Sequence, residues 1–133
     1  MSSPAPFNDI RTRLNAAALG VPIAWPNEPF KRPVPPAAWL SVQVTSTHNA
    51  PIELGGGVWQ EEGVAYTDVH VPVGTGSDTA RTLAKSVADV FRAVPPQPVV
   101  YCGGSIGDGE VSSADGMWWT ITVTIDWRYQ DTT

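Results

Sequence analysis

Residues 64 to 93 constrain the fold most, because they specify a strand, a sharp corner and a helix in succession. The segment from Val64 to Val73 is rich in β-branched and aromatic residues, which favour a strand. Gly74-Thr75-Gly76 then ends the extended pattern. From Ala80 to Phe91 apolar residues recur at helical spacing. This pattern predicts an amphipathic helix whose apolar stripe packs against a sheet.

The ends of this central helix carry their own signals. We expect the side-chain oxygens of Ser77 and Asp78 to accept hydrogen bonds from the first backbone amides of the helix. Asp78 also suits the positive end of the helix dipole. Pro95-Pro96 cannot continue the helix, so the sequence predicts that it ends by Ala93.

The amino-terminal third of the chain predicts a helix followed by an extended arm. Apolar residues at three- and four-residue steps predict a first amphipathic helix over residues 7 to 19, with Gly20 as its stop. Residues 23 to 39 are rich in proline, which favours an extended chain with Trp25 and Phe30 as aromatic anchors. These anchors either hold the arm to its own domain or pack against a neighbouring subunit.

The remaining elements are predicted as strands and loops. Residues 39 to 47 and 118 to 128 alternate between apolar and polar side chains, and 99 to 102 form a short apolar run. Residues 58 to 73 predict one long strand, or two strands with a break or bulge at Gly63. Residues 48 to 57 and 103 to 116 are predicted to be loops, and 131 to 133 a loose tail.

These elements together predict an α/β (α+β) fold. We expect a single domain over residues 1–133, with a twisted mixed or antiparallel sheet, about two helices packed on it, and long loops. The chain is long enough to bury a real core. Its single cysteine, Cys102, excludes an internal disulfide framework and is expected to be buried.

Charge and composition argue against two classes of protein. The formal net charge of −5 argues against a dedicated nucleic-acid binder, which needs a basic face. It is compatible with a protein whose partners are other proteins. The sequence contains no run of 18 apolar residues, so no transmembrane helix is expected.

Gly103-Gly104-Ser105-Ile106-Gly107 matches the G-x-S-x-G pattern of a nucleophile elbow. That motif needs a helix directly after the serine, whereas the residues that follow here lack helical periodicity. The histidine should also lie downstream, but His48 and His70 both precede the motif. A glycine-rich loop is the better interpretation.

Two further patterns also fail as sites for chemistry. Gly74-Thr75-Gly76 resembles the start of a dinucleotide fingerprint, but Thr79 stands where the third glycine should be. The histidines, the cysteine and the carboxylates show no metal-ligand spacing. The sequence therefore predicts no catalytic residue, no cofactor and no metal.

Several short motifs occur in an order that resembles a known family. Ile23-Ala24-Trp25-Pro26-Asn27 follows the first helix, with Phe30 shortly after. Trp39-Leu40 begins a strand, and Leu54-Gly55-Gly56 lies in a loop. The long strand ends in a Val-x-Val-Pro-x-Gly-x-Gly corner over residues 69 to 76. Over roughly residues 7 to 93, this set resembles the tail terminator proteins of siphophages, the lambda-type terminators included.

The resemblance implies a structural virion protein and not an enzyme. It implies a ring, expected to be a hexamer, that caps the finished tail tube and stops addition of the major tail tube protein. The other face of the ring would join the head-completion or connector protein, and DNA would pass through the lumen without specific binding. No membrane partner is expected. The protein would lie at the head–tail junction of the virion tail, after assembly in the host cytoplasm.

The resemblance also suggests which side chains make these contacts. The residues expected at subunit or tube interfaces are Trp25, Phe30, Trp59 and Trp118, with Arg11, Arg13 and Arg81 as ionic partners. Trp118 is expected to point outward, opposite a core-facing Trp119. The acids expected at the lumen or tube face are Glu53, Glu61, Glu62 and Asp68.

Two other classes of function stay open at this point. Another head–tail connector, neck or tail-tube component of similar size would also be acidic and ring-forming. A small enzyme or ligand-binding domain would use the helix start at residues 74 to 77 as an anion site.

Overall fold

The computed structural model of the chain describes residues 4–33, 37–52, 55, 57–92, 94, 99–111 and 116–132. These residues form two helices and six strands in a single sheet. In chain order, the elements are α1 (Pro4–Ala16), β1 (Ile23–Ala24), β2 (Trp39–Pro51), β3 (Val58–Pro72), α2 (Asp78–Val90), β4 (Val99–Ile106), β5 (Glu110–Val111) and β6 (Trp118–Thr132).

The sheet has the order β1-β2-β3-β6-β4, and β5 pairs with β6. The β1–β2 pair is parallel, whereas every other pair is antiparallel. This arrangement confirms the predicted α+β fold with two helices on a mixed sheet.

The two faces of the sheet differ in what covers them. In β3 and β6 the odd-numbered residues point toward the helices, and Val69, Val71, Ile121 and Val123 are almost fully buried there. Ala80, Ala84, Val87 and Phe91 of the α2 segment complete this core, together with Ile10 and Leu14 of α1. We call this side the helix face and the opposite side the open face. The strict alternation along β6 follows from the period of two of an extended strand.

Gly63 lies inside a continuous β3, so the strand is neither broken nor bulged there. The irregularity lies in the partner strand instead, between Ser46 and His48 of β2. A Cβ on Gly63 would lie 2.2 Å from the carbonyl oxygen of Thr45 and 2.2 Å from Cζ2 of Trp127. The glycine is therefore needed for the close approach of a tryptophan ring and not for a turn.

Three segments predicted as loop or tail contain strand residues. β2 continues through residues 48 to 51, and β6 continues through Asp131 to Thr132. β4 reaches Ile106, and β5 lies within the predicted 103–116 loop. In each case the neighbouring strand supplies a ladder of backbone hydrogen bonds, which outweighs the weak strand propensity of polar residues and glycine.

The helix ends also differ from the prediction. α1 begins at Pro4, where proline is tolerated because the first amide has no helical acceptor, and it ends at Ala16 and not at residue 19. α2 ends at Val90, while the proposed stop at residues 95 and 96 lies outside the described residues. Ser77 makes no side-chain cap bond, because its backbone is already helical, with φ −94° and ψ −16°.

Cys102 is exposed, so the expectation of a buried thiol is wrong. It lies at the irregularity between Tyr101 and Gly103 on β4, where the strand departs from regular pairing with β6. Such a position takes the side chain out of the alternation that would bury it. Within the described residues, no helix is long and apolar enough to cross a membrane.

Candidate functional site

The open face carries a stack of aromatic rings at the end of the sheet where β2 begins. The rings of Trp39 and His70 are nearly parallel, with centroids 4.0 Å apart. Phe30, from the arm between β1 and β2, stacks on Trp39 at 5.0 Å. Trp118 meets Trp39 edge to face at 5.9 Å. The arm is thus fixed over the open face by aromatic contacts, which are worth more than their buried area alone.

His70 is held between two hydroxyl groups. Its Nε2 lies 2.9 Å from Oγ of Ser41, and its Nδ1 lies 2.8 Å from Oγ1 of Thr120. Burial lowers the pKa of His70; the nearby Arg32 acts in the same direction, and Asp68 opposes it. The neutral imidazole can donate to one hydroxyl and accept from the other, so both ring nitrogens are satisfied.

The trio of Ser41, His70 and Thr120 has the order of a catalytic triad but lacks its chemistry. The third group is a neutral hydroxyl and not a carboxylate, so it cannot stabilise an imidazolium as the triad mechanism requires. Trp39 also covers one face of the imidazole ring. The trio therefore serves to position three strands and the arm.

The other motifs suspected of chemistry occupy unsuitable places. Ser105 lies within β4, paired with Thr124, and not on a strand-to-helix turn. Among the described residues, no group of three or more His, Cys, Asp or Glu is placed to hold a metal ion.

The rest of the open face is polar and carries more acid than base. Asp68 accepts a hydrogen bond of 2.6 Å from Thr122, and Glu62 accepts one of 3.1 Å from Gln60. Asp126 is exposed one strand away, two residues before the exposed Arg128. Threonine hydroxyls from β6 separate these charges. The surface can meet water or a polyanion without adhering to the latter.

The four acids predicted for a lumen or tube surface do not form one surface. Glu62 and Asp68 share the open face of β3, but Glu61 points to the helix face and is 1% exposed. Glu53 lies outside the described residues. Asp126 joins the open-face acids instead, and the alternation along residues 118 to 128 already placed it on that face. The strand period explains why neighbouring acids diverge.

Both aromatic anchors of the arm contact their own domain. Trp25 meets Phe7 of α1 edge to face at 5.9 Å, and the guanidinium of Arg11 lies 5.2 Å from the Trp25 ring. Phe30 stacks on Trp39, as described above. The first alternative for the arm, attachment to its own domain, is therefore observed.

The other two predicted tryptophans differ sharply in exposure. Trp59 lies near the end of the β2–β3 hairpin, far from the aromatic stack, and is 40% exposed. Trp118 lies opposite Trp119, as predicted, but it is only 3% exposed, and Trp39 packs against its ring. Trp59 therefore offers far more surface to a partner than Trp118 does.

The three predicted arginines are not brought together. Arg11 pairs with Glu28 of the arm at 2.9 Å, with both side chains well exposed. Arg13 pairs with Asp9 at 2.8 Å, and the same carboxylate accepts a hydrogen bond from the hydroxyl of Tyr101. Burial and this carboxylate raise the pKa of Tyr101. Arg81 is exposed on α2.

Comparison with known proteins adds to this geometry. A family model described as phage tail terminator protein matches residues 9–127. One solved structure aligns over 100% of this chain and 99% of its own, with a TM-score of 0.72 and 21% identity. Another, described as the virion of a native gene transfer agent (GTA) particle, aligns over 92% of each chain, with a TM-score of 0.63 and 14% identity. No curated protein sequence matches significantly. At these identities the two solved structures are evidence for the fold alone.

Proposed function

Because the chain belongs to the phage tail terminator family, we propose that it closes into a six-membered ring that caps the finished tail tube. The ring stops further addition of the major tail tube protein and offers its other side to the head-completion or connector protein. It works at the head–tail junction, after assembly in the host cytoplasm. The protein is a structural component of the virion, as members of this family are.

The family match over residues 9–127 carries this proposal. It covers both helices in large part, the long hairpin and most of β6. The fold shared with a chain of a gene transfer agent virion supports a place in a virion.

Two features of the structure suit a ring. The β2–β3 hairpin and the end of β6 form strands of 13 to 15 residues, and Trp59 is exposed near the hairpin end. The open face carries Glu62, Asp68 and Asp126, and we assign this face to the lumen. Like charge would keep DNA from adhering while it passes.

A tail-tube or neck component is the second candidate, since the fold does not distinguish it from a terminator. The two differ in how assembly ends. A tube protein adds ring upon ring, whereas a terminator stops after one.

Light scattering on the purified protein, alone and with its cognate tail tube protein, tests the proposal. We expect a closed ring, or capture of one ring at a tube end. Open-ended stacks of this protein would identify it as a tube component. A monomer that never engages the tube would overturn the ring and the cap together.

A further inference from the structure

The sheet ends in two backbone edges that have no strand partner among the described residues. β1 pairs only with Leu40 and Ser41, so within the described residues the outer edge of β2 has no strand partner from Val42 onward. At the opposite side of the sheet, β4 is the last strand in the order. Residues 42 to 46 and 102 to 106 contain no proline and no charged side chain, the devices that usually block edge pairing.

Hydrogen bonds already present show which amides point outward from β2. The amide of Leu40 donates to the carbonyl of Pro22 at 3.0 Å, across the outer edge. Donors along a strand alternate between its two sides. The amides of Val42, Val44 and Ser46, before the irregularity, therefore point outward as well.

The same argument fixes the outward amides of β4. The amide of Gly107 donates inward to the carbonyl of Thr122 at 2.9 Å. By alternation, the amides of Gly104 and Ile106 point away from the sheet. Both residues are exposed.

The two edges match in direction. Three successive antiparallel pairs separate β2 from β4, so the two strands run in opposite directions. A second copy rotated about an axis along the strands keeps its direction. Its β2 would therefore lie antiparallel to β4 of the first copy.

The two edges also place their side chains on the same face of the sheet. The amides of Val42 and Val44 point outward from the edge, and their side chains lie on the helix face. Gly104 and Ile106 pair with Ile125 and Val123, so they too belong to the helix face. Paired residues of an antiparallel ladder share a face, so joining the edges keeps helix face beside helix face.

A cavity on the helix face lies beside this edge of β4. It has a volume of about 530 Å³ and lies between α2 and β4, where Phe91, Tyr101, Ile106 and Ile125 line it. Gly103 and Gly104 of β4 also line it. The side chain of Val44 from an adjoining copy would enter this space.

We infer that the free edge of β2 in one copy pairs antiparallel with the free edge of β4 in the next, which makes the ring one continuous sheet. This inference rests on the proposed function for the ring and adds how the ring closes. The contact is heterologous, since each copy contributes a different edge, so rotation can close it. Every open face then lies on the same side, which brings the acids of all copies together.

Val44→Pro tests the hydrogen bonds directly. The substitution removes an outward amide, which is tolerated on edge strands, and it also replaces a partly buried side chain that packs on the core. The thermal midpoint of the monomer is therefore measured beside the yield of rings. Loss of hydrogen bonds between the two edge strands should reduce the yield of rings about tenfold or more. Val44→Ala is the matched control, because it removes most of the same side chain but keeps the amide, so it should form many more rings than Val44→Pro does.

Disulfide crosslinking tests the same contact in the assembled ring. Native Cys102 lies on β4 beside the proposed partner strand, and Ser46→Cys or His48→Cys places a thiol opposite it in the two neighbouring registers. Oxidation should give a ladder of linked copies from one of these variants, because paired strands bring Cα atoms within the roughly 4.4–6.8 Å that a disulfide spans. Thr82→Cys, at an exposed position on α2, should give no crosslinked ladder, and adding Cys102→Ser to the positive variant should abolish its ladder.

The results separate the edge contact from the terminator role. If Ser46→Cys and His48→Cys both form rings that give no crosslinked ladder, and rings also persist in Val44→Pro, the edge pairing is overturned and the ring is left standing. A ladder in open stacks would support the edge pairing and overturn the cap. A protein that never associates would overturn both.

Discussion

The indole of Trp127 occupies the place where a side chain at residue 63 would have to be. A Cβ built on Gly63 lies 2.2 Å from Cζ2 of the ring, and the carbonyl oxygen of Thr45 is equally close. One of these neighbours is backbone and the other is a fully buried ring, so neither can give way easily.

Gly63→Ala should therefore destabilise the protein by about 3 kcal/mol, the upper part of the range for an overpacked core. Urea unfolding followed by tryptophan fluorescence measures this loss. Gly55→Ala is the matched control, since a Cβ there meets nothing within 4 Å. If both variants unfold at the same urea concentration, the ring does not pack against Gly63 as described.

His70 should make stability depend on pH. Burial lowers its pKa in the folded state from the ordinary 6.5, so the unfolded chain takes up a proton first as the pH falls. The contribution of the neutral imidazole is complete above about pH 6.5 and is lost as the pH falls through that value. Asp68 and Arg32 are the charged groups that act on it, in opposite directions.

Unfolding free energies at about pH 7.5 and about pH 5.5 test this sign. Wild type should lose more stability over this interval than His70→Gln does. His48→Gln, at an exposed histidine, should behave as wild type. A steeper loss in His70→Gln than in wild type would contradict the lowered pKa.

Asp9 should tie α1 to β4. Its carboxylate accepts from both Arg13 and Tyr101, and the residues 9 and 101 are far apart in sequence. Tyr101→Phe removes one bond to a charged group and should cost about 1.5–3 kcal/mol. Glu28→Gln, which breaks only the exposed pair with Arg11, should change stability by less than about 1 kcal/mol. Equal losses in urea unfolding would contradict the special role of Asp9.

The sequence was sufficient to predict the order of the main elements, because periodicity identified α2, β3 and β6. The sequence did not predict strand in segments whose structure depends on pairing with a neighbouring strand. Residues 48 to 51 and 103 to 106 are polar or rich in glycine, and they become strand because a neighbour offers hydrogen bonds. A single sequence does not reveal that neighbour.

In the candidate site, too, local pattern predicted which face a side chain lies on but not which contacts cover it. Alternation correctly placed Trp118 and Trp119 on opposite faces, but it could not show that Trp118 is buried against Trp39. Nor did the acidic pair at residues 61 and 62 form one surface, since adjacent residues of a strand point apart. Burial on the open face depends on a contact between Phe30 and Trp39, which is set by the path of the arm and not by local pattern.

The open-face acids should affect DNA passage without affecting assembly. Glu62→Lys and Asp126→Lys each reverse a charge on this face, and we expect slower DNA release from particles that contain them. Asp89→Lys makes the same change on the exposed side of α2 and should release DNA at the normal rate. Release from purified particles, measured by dye fluorescence, tests the lumen assignment. Normal release from both open-face variants would contradict it.

Trp118 and Trp59, both predicted to lie at interfaces, should differ in whether their substitution affects folding or assembly. Trp118 is 3% exposed and packs on Trp39, so Trp118→Ala should cost about 3–5 kcal/mol of folding stability. Trp59 is 40% exposed at the hairpin end, so Trp59→Ala should cost only about 1 kcal/mol. If Trp59 meets a neighbouring subunit or the tube, this variant should fold normally and yet lose assembly.

Paired measurements on each variant decide the matter, with thermal unfolding for the monomer and light scattering with the tube protein for assembly. Trp59→Phe is the control, because it keeps an aromatic ring at the hairpin end and should retain most assembly. A Trp59→Ala variant that assembles as wild type does would remove Trp59 from the interface. A Trp118→Ala variant that folds normally but fails to assemble would instead show that the indole of Trp118, buried in the monomer, contacts a partner in the assembly.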